Sequence, residues 1–118
     1  MVSVERKAID YVMQIERENG NNPIDKSKDK VGYDIEFGNK RIEVKGRKGN
    51  KASIVHFNQY NFIAMQDAIR EGKEYLLYAV KIIDDDNIKL KILDVNQIIT
   101  RAKVRYGYEI RFSRNEFE

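Results

Sequence analysis

Apolar residues recur along this chain with two different periods, and the switches between them mark its elements. Over residues 3–19, SVERKAIDYVMQIEREN, the positions Val4, Ala8, Tyr11, Val12 and Ile15 fall three or four apart, which predicts an amphipathic helix. Ser3 is placed to cap its start and Gly20 to end it, and Glu5 and Glu16 border the apolar stripe. Residues 21–31, NNPIDKSKDKV, follow neither period and read as a loop. The period then drops to two: GYDIEF and KRIEVKG read as strands around a tight turn, and SIVHF at 53–57 as a third strand. Asn58 can cap a second helix ending at Gly72, with Phe62, Met65 and Ile69 toward the core. EYLLYAVKII, 74–83, is apolar almost throughout, as a strand buried on both faces must be. DDDN at 84–87 is turn chemistry, IKLKILDV alternates as a strand, NQIITRAKV predicts a short helix, and YGYEIRFS reads as a last, edge strand. The order α-β-β-β-α-β followed by β-α-β predicts an α/β fold, a mixed central sheet flanked by helices, in one domain over residues 1–118.

The first two strands raise the chemical question. With Gly38-Asn39 as a two-residue type II′ turn, or a four-residue loop centred there, Phe37 pairs with Lys40, Glu36 with Arg41, Ile35 with Ile42, Asp34 with Glu43 and Tyr33 with Val44. Tyr33, Ile35, Phe37, Ile42 and Val44 then share a core face, and Asp34, Glu36, Arg41, Glu43 and Lys45 share the other. Glu36 opposite Arg41 is favourable. Asp34 opposite Glu43 is not, because like charges directly opposed across a sheet repel. A divalent cation removes that repulsion, since Mg²⁺ takes hard oxygen ligands and commonly combines one or two carboxylates with substrate phosphate oxygens. Lys45 rises on the same face, two residues beyond Glu43, where it could hold a water against a phosphorus atom. A solvated amphipathic hairpin would show the same constellation, and spacing leaves both readings open.

Composition narrows the choice. The chain has 118 residues, 42% hydrophobic and 35% charged, with a formal net charge of +3, which permits nucleic-acid binding without requiring it. The positive charge gathers in KRIEVKGRKGNK, residues 40–51, where Glu43 is the one acid. No cysteine is present, which excludes disulfides, zinc–thiolate sites and a cysteine nucleophile, and the single histidine excludes a poly-histidine metal site within one chain. His56 shares a face with Ile54 and is expected to be partly buried and hydrogen-bonded; Tyr75, Tyr78, Tyr106 and Tyr108 are expected to pack rather than stack on bases. No stretch approaches a membrane span and no apolar leader opens the chain, so the expected location is cytoplasmic or nucleoid-associated.

GYD and IEVKG, at Gly32–Asp34 and Ile42–Gly46, resemble the bipartite D…ExK motif of the PD-(D/E)xK nuclease superfamily, whose restriction-endonuclease-like core has the order αβββαβ. More narrowly, the chain resembles the NO VEIN carboxy-terminal domain family. The counterparts are Glu5 on the first helix, GYDI at 32–35, EVKG at 43–46, NQY at 58–60 and YLLYAV at 75–80. Gln59 stands where that family often has glutamate.

The resemblance implies cleavage of DNA with Mg²⁺ or Mn²⁺. Asp34 and Glu43 would be metal ligands, Glu5 an accessory carboxylate and ligand, Lys45 the catalytic lysine and Gln59 a further contact in the site. Arg47, Lys48 and Lys51, following Lys45 directly, would track the DNA backbone, a contact that carries affinity but no sequence information. No element reads as a base-recognition helix. Structure selectivity, or targeting by a fused or partner protein such as a helicase, is therefore expected; a small resolvase of this fold would act as a homodimer. The alternative is a non-catalytic nucleic-acid-binding or interaction module that retains the fold.

Overall fold

The computed structural model describes residues 2–51, 53–104 and 108–117, with the side chains of 53, 103, 104 and 108 left aside. Helix α1 spans Val4–Glu18 and is capped by Ser3, whose hydroxyl accepts from the Arg6 amide. Short strand β1, Ile24–Asp25, is followed by β2, Ile35–Phe37, and β3, Lys40–Lys48. Then come β4 (Ser53–Phe57), α2 (Gln59–Arg70), β5 (Glu74–Asp84) and β6 (Asn87–Leu93). The chain closes with α3 (Val95–Arg101), β7 (Lys103–Val104), β8 (Tyr108–Phe112) and a 3₁₀ turn at Arg114–Phe117.

The main sheet has the order β1-β2-β3-β5-β6, mixed because β3 and β5 run parallel while the other pairs are antiparallel. Parallel neighbours need a crossover, and β4 with α2 supplies it. Strand β5 is buried from Tyr75 to Ile82, as its apolar run predicts. Alternation along β3 and β5 divides the interior in two. Ile42, Val44, Leu76, Tyr78, Val80 and Ile82 face α1, packed against Ala8, Ile9, Val12 and Met13. Tyr75, Leu77 and Ala79 face the other way, onto α2, α3 and a second sheet of order β4-β8-β7. No helix among the described residues is long and apolar enough to cross a membrane.

The α/β architecture, a mixed central sheet flanked by helices, is as expected; several details are not. Helix α1 buries Ala8, Ile9, Val12, Met13 and Glu16, leaving Val4, Tyr11 and Ile15 only partly covered. A glutamate can sit on the buried line because the Tyr78 hydroxyl donates to Glu16 Oε2 at 3.2 Å and Asn21 to Oε1 at 3.4 Å. On α2 the buried line is Asn61, Ala64, Met65 and Ala68, while Ile69 is exposed, because small residues at 64 and 68 let the helix lie close on the sheet. Strand β1 lies inside the segment that reads as loop, and it exists only by pairing with β2. The last strand is no edge: β8 lies between β4 and β7. Lys103–Val104, read as the end of a helix, form β7 instead. Tyr75 and Tyr78 are packed as expected; Tyr106 and the side chain of Tyr108 lie outside the described residues.

Candidate active site

The hairpin has the expected register, Ile35↔Ile42, Glu36↔Arg41 and Phe37↔Lys40, around a two-residue turn in which Gly38 takes φ of +54°. The ladder stops at Ile35. The Asp34 amide donates to the Ile42 carbonyl at 2.8 Å, and its carboxylate Oδ2 accepts from the Val44 amide at 2.8 Å. Asp34 thus occupies with its side chain the place that a next backbone rung would take, beside Glu43. Tyr33, one residue beyond the ladder, departs from the alternation and packs with the α2-side core rather than with Ile35 and Val44.

Two glycines bring helices to this point. A Cβ on Gly46 would stand 2.8 Å from the Ala8 Cβ and 3.1 Å from the Val4 carbonyl, so α1 lies directly on β3 there and carries Glu5 to the edge of the site. A Cβ on Gly32, which has φ of +84°, would stand 2.4 Å from the Tyr60 carbonyl. The Gly32 carbonyl accepts both from Asn61 Nδ2 at 3.0 Å and from the Tyr75 hydroxyl at 2.9 Å. The loop before β2 is thereby pinned to the first turn of α2 and to the central strand. Between these supports lies a cleft of about 430 Å³ whose walls include Glu5, Asp34, Glu43 and Lys45.

Asp34 and Glu43 are almost fully buried, at 8% and 6% exposure. Lys45 Nζ lies 2.8 Å from Glu43 Oε2. Burial is the largest influence on Glu43 and, with the adjacent Asp34 charge, pushes its carboxyl up to about 8, although Lys45 opposes the shift. Burial raises Asp34 as well, against the Val44 hydrogen bond and Lys45. The two carboxyls lie close enough for each charge to act on the other, and between them Lys45 neutralises only one. Two adjoining buried carboxylates offer the hard oxygen donors that fit Mg²⁺ or Mn²⁺. Glu5 is exposed on the cleft wall; among the described residues no three His, Cys, Asp or Glu side chains gather closely enough to hold an ion by themselves.

The remaining candidates are dispersed. Gln59 is exposed at the start of α2 and does not line the cleft; its neighbours Asn58, Tyr60 and Asn61 do. Arg47 donates to the Ile54 carbonyl at 3.0 Å and the Gly46 carbonyl at 2.8 Å, tying β3 to β4 while still lining a smaller adjoining pocket with Lys45 and His56. Lys48 and Lys51 are exposed beyond it. His56 is exposed rather than partly buried, because Val55 and Phe57 take the inward positions of β4. Alternation alone does not reveal which face of a strand is outward when both neighbours on one side are polar or aliphatic. Lys30 and Asn61 carry no motif in the sequence, and Tyr60 stands there only within NQY, with no role of its own. Lys30, the one described non-glycine residue with positive φ (55°), stands at the lip of the cleft.

A helix laid on a mixed sheet that opens with an antiparallel hairpin and continues through a parallel β3–β5 pair is the restriction-endonuclease-like α/β fold. The solved structure of Hjc from Archaeoglobus fulgidus, a Holliday junction resolvase from an archaeal hyperthermophile, has this fold. It matches with a TM-score of 0.59 over 92% of this chain and 89% of that one, at 13% identity, a likeness of fold. The family model described as Protein NO VEIN, C-terminal, matches residues 4–93, and the chain belongs to that family. No curated protein matches the chain.

Proposed function

We propose that this chain is a metal-dependent DNA endonuclease. The observation that carries the reading is the buried Asp34–Glu43 pair with Lys45 Nζ at 2.8 Å, opening on a cleft. A fold built for stability alone gains nothing from burying two adjoining carboxyls, since each is costly to desolvate and each raises the other. Asp34 and Glu43 would hold Mg²⁺ or Mn²⁺, which when bound supplies Lewis-acid polarisation of a phosphate oxygen. Lys45, released from Glu43, is placed to orient the attacking water and to offset charge developing on phosphorus. Glu5 is the accessory carboxylate, able to orient a water beside Asp34. Arg47, Lys48 and Lys51 continue from Lys45 as a basic track for neighbouring phosphates. The resolvase with the same fold makes branched DNA the first substrate class to try, with a homodimer as the matching assembly.

The test is cleavage of linear and branched DNAs in Mg²⁺, Mn²⁺ or EDTA, wild type beside Lys45→Ala and Glu43→Gln. Metal-dependent cleavage by the wild type is expected, falling by about 100-fold or more in Lys45→Ala, the usual scale for one lost electrostatic contact to a transition state. DNA binding by Lys45→Ala should weaken only slightly, one phosphate contact among several being lost. DNA binding without metal-dependent cleavage of any substrate would instead establish the non-catalytic binding module.

A further inference from the structure

The cleft has two unlike walls. One is charged: Glu5, Asp34, Glu43 and Lys45. The other is Val31, Gly32, Tyr33 and Tyr60, with Lys30 at its lip. On that second wall Tyr60 is 65% exposed and Val31 41% exposed. A large aromatic left in water at the mouth of a cleft contributes nothing to the core. Its backbone is nonetheless firmly placed. Tyr60 lies in the first turn of α2, which is closed by the reciprocal hydrogen bonds of Asn58 and Asn61, and its carbonyl abuts Gly32.

From this juxtaposition we infer that the cleft binds a whole unpaired nucleotide, with its phosphate at the charged wall and its base stacked on Tyr60. The inference rests on the nuclease reading for the place of the phosphate and deepens it by naming the substrate class: DNA single-stranded at the site of binding, as in a flap, a gap or an opened branch point. A backbone phosphate of continuous duplex can be approached by a shallow basic surface, but its base is stacked inside the helix and out of reach of a side chain beside that phosphate. A cleft of about 430 Å³ with an aromatic wall has room for the base as well. Every base has a π-face, so Tyr60 would favour unpaired DNA of any sequence. Lys30 at the lip is placed to meet the adjoining phosphate.

Fluorescence anisotropy with Ca²⁺, which offsets the acids of the charged wall, measures binding without depending on cleavage. The DNAs are one sequence presented as single strand, as flap and as continuous duplex, with a matched single strand carrying an abasic position scanned along it. Tyr60→Ala should weaken single-strand and flap binding by about 5- to 150-fold, the range for one lost stacking contact, and leave duplex binding unchanged. Tyr60→Phe should bind as the wild type does. One abasic position should weaken the wild type as much as Tyr60→Ala, with no further loss in the combination. Equal losses on duplex and single strand, or none on either, would overturn the inference. Cleavage assayed in parallel with Mg²⁺ separates the two readings. Cleavage without a Tyr60-dependent preference would leave the nuclease and remove the stacking site. A Tyr60-dependent preference without cleavage would do the reverse.

Discussion

Among single residues Glu43 has the most to say about the state of the site. Its carboxyl stands near 8 in the folded chain against an ordinary 4.5, with burial the main cause. A carboxyl raised by folding binds its proton more tightly in the native state. Its contribution is therefore fully present below about pH 4.5 and is lost as pH rises toward 8. The metal-free protein should lose of order a few kcal/mol across that window, each pKa unit being worth about 1.4 kcal/mol. Glu116, held below the usual carboxylate range by its hydrogen bond from Arg101, acts in the opposite sense and only at more acid pH. Urea unfolding at pH 5 and pH 8.5 is expected to show the decline in wild type and a much flatter profile in Glu43→Gln, which should be the more stable of the two at pH 8.5. Millimolar Mg²⁺ or Mn²⁺ at pH 8 should raise the wild-type melting temperature by linkage and leave Glu43→Gln less affected. Coincident pH profiles for the two proteins would mean that Glu43 is not a strained carboxyl.

Much of this was visible in the sequence at the level of elements, and the exceptions have physical causes. The β2–β3 register followed from alternation and the glycine of the turn. Tyr33 did not, because the Asp34 side chain ends the ladder one residue before it. The face of α1 turned from Val4, Tyr11 and Ile15 toward Ile9, Met13 and Glu16, and its close seating at Ala8 against Gly46 is an approach that periodicity does not encode. The pair Asp34–Glu43 and Lys45 could be named from spacing, whereas the apolar wall could not: Tyr60 joins it only because Gly32, nearly thirty residues earlier, folds against its carbonyl. The two glycines supply a test. Gly46 has an ordinary backbone conformation, so Gly46→Ala acts through sterics alone, against a methyl at 2.8 Å and a helix carbonyl at 3.1 Å. It is expected to cost about 1–3 kcal/mol, as overpacking does, and to displace Glu5 with the start of α1. Chemical denaturation gives the first quantity. An unchanged midpoint would show that α1 is not seated as tightly as this contact implies.

For the molecule as a whole, the family match ends at residue 93 while the interior does not. Ile98, Ile110, Phe112 and Phe117 belong to the same core as Val55, Phe57 and Leu77, and among the described residues β8 is the strand with which β4 pairs. Each such side chain contributes about 1.5–3 kcal/mol on burial, and four together rival the roughly 5–15 kcal/mol by which a domain is stable. A chain ending at Leu93 should therefore lose cooperative unfolding and bind a hydrophobic dye; a sharp melting transition in that fragment would show the second sheet to be an appendage. The doubly bonded carbonyl of Gly32 has a consequence on this scale too. One of its donors, Tyr75, belongs to β5, the strand buried on both faces. Heat cannot slacken the wall of the cleft ahead of the interior, because the tyrosine would have to leave its place first. Deuterium uptake at the amides of 32–34 should then keep pace with global opening, so that the working surface and the interior melt as one body.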